Sequence, residues 1–326
     1  YFPGHLLETG SDILFFWVAR MVMMSLALTD KLPFNTVYLH SLVRDRIGRK
    51  MSKSLGNVID PLDVVTGVPL AELQKKLENG NLDPKEVKTA QDNQAKDFPN
   101  GIPQCGADAL RFGLLGYARQ GTDINLDINR LYVARTFCNK MWQATRFALM
   151  NFPEDFDAPA SLEAMKAHMA AAGGATTAQK WILSRLHAAA DITEQAFVNY
   201  EFGNATIALQ SFFVDELCSR YLEVIKPIVK IGPDASEEAK LLAQSHLSVL
   251  FICLDYFLRL LHPMMPFVTE ELYHRLPGHA ARTAAAVAAS ADARVKTGSI
   301  MIAPYPRAAV TAMLFDTKAE TDMALL

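Results

Sequence analysis

Two rhythms of apolar residues run along the chain and divide it. From Ile13 to Leu28 the residues are apolar almost throughout, with Arg20 as the interruption. That run is too short and too flawed for a membrane span and predicts a buried helix, with Phe15 and Phe16 in the core. Thr9 and Ser11 are candidate N-caps, Asp12 suits a first turn, and Gly10 allows close backbone approach just before it. After a turn at Leu32–Pro33, the β-branched and aromatic stretch Asn35–His40 predicts a strand. A helix leading into a strand is half of an α/β unit. Asp60–Pro61 breaks the pattern. Residues 68–102 are polar, with helical stretches at Leu70–Leu77 and Pro84–Gln94, and read as a surface insertion. Two strong helices follow between Gly106 and Met150.

The second rhythm is helical. Residues 157–178 are rich in Ala and Gly and read as a linker with a short helix. Beyond Lys180, Ile182, Leu186, Ala189 and Ile192 share one face, and Leu209, Phe213, Leu217, Tyr221 and Val224 form another, stopped by Pro227. Asp234 with Glu237 resembles a capping box before a third stripe, Leu247 to Leu261, which Pro263 stops. A fourth helix is predicted at Thr269–Leu276. Long amphipathic helices with short joins make an antiparallel bundle. The Ala-rich stretch 279–297 reads as a loop, and Ser299–Pro306 as a short strand or extended segment.

Composition narrows the picture. A chain of 326 residues, half of them hydrophobic, has enough material for about two domains. A net charge of −3 argues against a generic polyanion binder, so nucleic-acid contacts must come from local basic patches. Cys105, Cys138, Cys218 and Cys253 are widely scattered; no pair has zinc-ligand spacing, and the pattern predicts a reducing compartment. The chain starts at Tyr1 inside an apolar pattern and reads as a fragment.

Candidate chemistry lies at Gly48–Asn57, GRKMSKSLGN. Between Leu39 and Asn57, Arg44, Arg46, Arg49, Lys50 and Lys53 stand against Asp45 alone. Glycine and serine around the lysines predict a mobile loop, and amines at its tip suit an anion that appears or departs during a reaction. A P-loop is excluded, because GxxxxGK[ST] is absent. Composition alone leaves an ordinary solvated basic turn open.

The string KMSKS at Lys50–Ser54 resembles the signature loop of class I aminoacyl-tRNA synthetases. Its flanks resemble the valyl family within that class: ETGSDILFFWVARM from Glu8, HSLVRDRIGRKMSKSLGNVIDPLDV from His40, GADALRFGL from Gly106, and WILSRL, YLEVIKP and LHPMMPFVTEELY further on. The stretch Asn81–Gln104 resembles the eukaryotic cytosolic type, which implies a cytoplasmic location. The resemblance covers nearly the whole chain, in order. It implies an enzyme that activates valine with ATP, releases pyrophosphate and charges tRNA(Val), with Mg2+ carried by the phosphates and no protein metal site. Lys50 and Lys53 would stabilise the departing pyrophosphate. Gly10 and Asp12 would meet the adenylate, with His40, Met51, Ser52 and Ser54 around the nucleotide. Ser41 stands where the family often has glycine after that histidine. Trp17 would wall the amino-acid pocket. Among the basic residues between Arg111 and Arg146, Arg130, Arg135 and Lys140 would contact the tRNA backbone. Trp181, Arg185, Tyr221 and Lys226 are weaker candidates for the anticodon loop, and Trp142 is read as core. Phe2–His5, FPGH, lacks the first histidine of the HxGH signature, which is expected upstream together with the editing domain.

The fold implied is mainly α. Residues 1–60 are the end of a Rossmann-like catalytic domain, 61–155 a helical stem-contact segment with the polar insertion, and 156–326 an anticodon-binding bundle. The segment alone is expected to be inactive, its partners being the catalytic and editing parts of the same chain, with no membrane. Two alternatives are a stand-alone tRNA-binding module and the isoleucyl enzyme; SDILFFW argues against the latter.

Overall fold

The structure, a computed structural model, describes residues 1–79, 82–118, 121–232, 234–279 and 298–324, and of Lys53 the backbone only. It divides into two compact units, Tyr1–Tyr132 with Glu201–Gly203, and Val133–Tyr200 with Asn204–Leu326.

The first unit opens with β1 (Gly4–Gly10), a crossover helix, and β2 (Phe34–His40). The strands pair in parallel, with Gly4 opposite Phe34 and Gly10 opposite His40. Parallel neighbours need such a crossover. It starts as a 3-10 turn (Ser11–Ile13), widens at Leu14–Val18 and settles into α1 (Ala19–Thr29). Neither Thr9 nor Ser11 caps it; Gly10 holds the N-cap position without a side-chain bond. The whole stretch Ser11–Thr29 is long and apolar enough to cross a membrane, contrary to the sequence reading, but it joins two paired strands. Nor is it buried. Phe15 and Phe16 are 79% and 65% exposed. A helix apolar all round needs cover on several sides, and a two-stranded sheet supplies only one.

A second parallel pair joins β3 (Val43–Arg44) to β4 (Ile124–Asn125). Between them, α2 (Pro61–Thr66) begins at the predicted break: the Asp60 carboxylate accepts from the Leu62 amide at 2.9 Å and Pro61 fills the first turn. The polar insertion forms a helical hairpin, α3 (Leu70–Glu78) and α4 (Pro84–Asp97), rooted by reciprocal 2.8 Å backbone bonds between Val68 and Ile102. Then come α5 (Ala107–Tyr117) and α6 (Ile128–Asn151), whose first turn, to Tyr132, belongs to this unit.

The second unit is helical. α7 (Leu162–Ala171) occupies the predicted linker; it packs against a later helix, with Met165 fully buried and His168 Nδ1 2.7 Å from Ser248 Oγ. α8 (Thr177–Val198) has a capping box between Thr176 and Gln179. α9 (Phe202–Ser211) runs through wide turns at Phe212–Tyr221 into α10 (Leu222–Val229), so Pro227 lies within the last turn instead of stopping the helix before it. α11 (Glu237–Leu261) is the central core helix, and α12 (Pro266–Arg275) follows. The N-cap of α11 is Ser236, whose hydroxyl accepts from the Ala239 amide; the predicted Asp234 lies two residues too early. Phe213 stacks on Phe257 at 4.4 Å and Phe137 meets Phe213 edge-on at 5.9 Å. Each such buried ring contributes roughly 1.5–3 kcal/mol of transfer free energy. Ile300–Ile302 is a 3-10 turn where a strand was one expectation, and residues 280–297 of the Ala-rich stretch lie outside the described residues.

Candidate active site

The parallel strands β1 and β2 end side by side, so Gly10 and His40 face each other across the sheet. In open α/β sheets, ligands bind beyond the carboxyl ends of the strands. An added Cβ at Gly10 would lie 2.7 Å from Asp12 Oδ1 and 3.3 Å from Leu42 Cδ2, so a side chain there would displace the Asp12 carboxylate. Asp12 follows in the first helical turn, exposed, and Trp17 is 57% exposed one further turn along. His40 places Nδ1 3.1 Å from the Ser41 carbonyl and Nε2 3.8 Å from the Glu8 carboxylate. Gly10, Asp12 and His40 are thus one cluster.

The lysine-bearing loop follows β3. Its composition predicts mobility, but its base is latched. Asp45 is buried, and its carboxylate accepts from the amides of Ile47 (3.2 Å) and Arg49 (2.7 Å), from Arg49 Nε (2.6 Å) and from Asn57 Nδ2 (2.9 Å). Burial pulls the Asp45 carboxyl upward, but the bonds from Asn57 and Arg49 and the Arg49 charge outweigh it, so its pKa lies below the ordinary value. Asn57 uses its other end as well: Oδ1 accepts from the Ser52 amide at 2.9 Å, and Nδ2 also reaches the Lys50 carbonyl at 3.3 Å. Gly48 turns the chain with a φ of +83°, conformational space that favours glycine. Ser52 and Ser54 bring their hydroxyls within 3.3 Å of each other, and Ser52 Oγ accepts from the Leu55 amide at 3.3 Å, so both serines shape the turn.

The cations of this stretch separate into two groups. Arg44 pairs with Asp123, and Arg49 with Asp45 and, at 3.4 Å, Asp97. Lys50 is exposed and has no carboxylate within ion-pair distance among the described residues. Met51 is half-buried beside it, and the Lys53 backbone begins a 3-10 turn at Lys53–Leu55. Two of five cations are therefore neutralised by the fold, while Lys50 is exposed and outside any ion pair among the described residues. A cavity of about 550 Å³ beside the loop is lined by Asp45, Arg46, Asn57, Asp97, Asn100 and Asn129. It borders the latch, away from Gly10 and His40.

The candidate RNA contacts fall out differently. Arg130 is exposed and lies over the Tyr117 ring at 4.9 Å, while Arg135 and Lys140 are exposed further along α6. Trp142 is 40% exposed with the Arg275 guanidinium 5.3 Å from its ring centre, so it is a surface residue where a core one was expected. Trp181 and Tyr221 are buried, and the Tyr221 hydroxyl is 3.2 Å from His246 Nδ1. Neither presents a face to a base. Arg185 is engaged by Glu216 (2.7 Å) and Glu320 (3.6 Å), and Lys226 by Glu223.

The family described as tRNA synthetases class I (I, L, M and V) matches residues 1–127, and the anticodon-binding domain of tRNA ligase matches residues 179–326. Residues 1–127 belong to the class I tRNA synthetase family. The chain is 50% identical to the valine–tRNA ligase of Mus musculus over 94% of its length, and 46% identical to the mitochondrial valine–tRNA ligase of Saccharomyces cerevisiae over 88%. It spans about a fifth to a quarter of the length of these curated relatives, 22% and 25%. Among solved structures, it is similar to the LeuRS of the Agrobacterium radiobacter K84 LeuRS–tRNA–LeuAMS ternary complex, with a TM-score of 0.56, 17% identity, and coverage of 96% of this chain and 29% of that one. The likeness shows a shared fold; the β1–crossover–β2 unit lies within the residues matched by the class I synthetase model, and most of the second unit within those matched by the anticodon-binding model. Sequence reasoning missed the contacts that Asp45, Asn57, Asn93 and Asp97 make around the lysine-bearing loop. A signal existed for the first: Asp45 is the lone acid in a basic run, and a lone acid there is poised to organise its neighbours.

Proposed function

We propose that this segment works within a valine–tRNA ligase, supplying the pyrophosphate-stabilising loop and the tRNA-binding helices. The observation that carries the reading is the unpaired Lys50 on a latched loop, with Arg44 and Arg49 already neutralised. Activation joins the valine carboxylate to the α-phosphorus of ATP and breaks the bond to pyrophosphate. The carboxylate is already ionised, so the step needs positioning and charge stabilisation in place of a general base. Lys50 and Lys53 neutralise the leaving pyrophosphate. Gly10 and Asp12 receive the adenylate at the strand ends, with His40, Met51, Ser52 and Ser54 around the nucleotide and Trp17 beside the amino-acid side chain. Mg2+ enters with ATP, held by the phosphates.

The functional division follows: 1–60 catalytic, 61–155 stem-contacting, 156–326 anticodon-binding. Arg130, Arg135 and Lys140 contact the tRNA(Val) backbone, and the complete protein is cytoplasmic. Support comes from identity near one half to valine–tRNA ligases. The test is ATP–pyrophosphate exchange by the complete polypeptide. Exchange that depends on valine and not isoleucine is expected; exchange driven by isoleucine overturns the valine assignment.

A further inference from the structure

The insertion helix α4 is polar along most of its length, yet three of its residues meet the lysine loop. Ala90 lies under Gly56, where an added Cβ would stand 2.6 Å from the Ala90 carbonyl oxygen and 2.7 Å from its Cβ. Asn93 Nδ2 donates to the Leu55 carbonyl at 3.1 Å. The Asp97 carboxylate accepts from the Arg49 guanidinium at 3.4 Å. Positions 90, 93 and 97 are spaced i, i+3 and i+7, so they form one ridge of the helix. Their loop partners, Gly56, Leu55 and Arg49, bracket Lys50 and Lys53 on both sides.

Two of these contacts are directional, so they fix register as well as bury surface. The helix is itself fixed at both ends. Asp83 accepts from the Lys85 amide at 2.9 Å with Pro84 in the first turn, and the hairpin is rooted at the Val68–Ile102 bridge. Gln91 ties α4 to α3 through Glu78 at 2.9 Å. The Gly56 φ of +66° and its contact with Ala90 leave no room for a side chain, so loop and helix sit flush at that point.

We infer that α4 is a strut that positions the pyrophosphate-binding loop, with Asn93 and Asp97 as positioning residues for adenylate formation. The inference rests on the proposed role of Lys50. Small displacements of a charge-stabilising group are costly, about a hundredfold for 1 Å in favourable cases. The strut therefore acts on the step in which pyrophosphate leaves and is neutral toward the later transfer to tRNA.

The test uses the complete polypeptide and three variants: Asn93→Ala/Asp97→Ala, Asp97→Glu and Lys50→Ala. Single-turnover adenylate formation is measured at saturating ATP and valine, and transfer to tRNA is measured separately from preformed enzyme-bound adenylate. The double variant is expected to slow adenylate formation roughly tenfold or more, with KM for valine and the transfer rate unchanged. Amide exchange should rise across residues 50–57 and stay constant in α5. Asp97→Glu should retain most of the activity, since it keeps the charge facing Arg49. Full activity in the double variant beside a large loss in Lys50→Ala overturns the strut and leaves the loop assignment standing. Full activity in both overturns the loop assignment, and the strut with it. Equal losses in adenylate formation and transfer, with a lowered Tm, reduce α4 to ordinary structural support and also overturn the inference.

Discussion

Asn57 donates from Nδ2 to the Asp45 carboxylate at 2.9 Å, and both side chains are buried. That one bond closes a loop of twelve residues' separation around Lys50. It converts a glycine- and serine-rich stretch into a frame with a fixed base and an exposed Lys50. The frame matters because electrostatic stabilisation works only where the donor is already placed when charge develops.

Removing the latch should be costly for a defined reason. Asn57→Ala leaves the buried Asp45 carboxylate short of one donor and the Ser52 amide without its acceptor. A loss of about 1–3 kcal/mol is expected, read by urea unfolding, with faster amide exchange at Ser52. The Asp45 pKa is depressed in the folded state. Its stabilisation is therefore present above the ordinary carboxylate pKa and is lost as pH falls through the lower folded value. In Asn57→Ala that acid sensitivity should shrink.

A second pH dependence belongs to the bundle. Burial lowers the His246 pKa from 6.5 to about 4, with Nε2 unpartnered and the Tyr221 hydroxyl facing Nδ1. The unfolded chain takes up the proton first on acidification. Stability is therefore full above 6.5 and falls as pH drops toward 4, by about 3 kcal/mol in total. His246→Gln should flatten that slope. Denaturant unfolding of both proteins at pH 7, 5.5 and 4.5 checks it; parallel slopes contradict it.

The exposed cations of α6 and the engaged arginine of α8 should behave oppositely. Arg135→Ala and Lys140→Ala are expected to weaken tRNA binding and each lower the salt slope of log K by about one. Arg185→Ala removes a partner of Glu216 and Glu320 and should lower Tm without changing that slope. Filter binding across a salt series, beside thermal unfolding, separates the two.

What the sequence made legible follows from what is local. The strand at His40, the helical insertion, the basic loop and the bundle stripes each rest on periodicity or turn chemistry within a short window. The latch is not local: Asp45 stands out as the lone acid of a basic run, but nothing in the sequence marks Asn57 as its partner until the loop folds. Cover is equally non-local. The apolar pattern at Phe15 and Phe16 reads as core, although these rings are exposed here. Trp181 and Tyr221 failed in the other direction, because an aromatic on a bundle helix looks the same in sequence whether it faces a base or the core. The Ser236 cap was obscured by Asp234 two residues earlier, since both residue types cap equally well.

The central claim is that the loop amines neutralise departing pyrophosphate. The most direct measurement is the single-turnover rate of adenylate formation in the complete polypeptide carrying Lys50→Ala and Lys53→Ala together. The account predicts a fall on the order of a hundredfold or more, with the fold and tRNA affinity retained. An unchanged rate would contradict it.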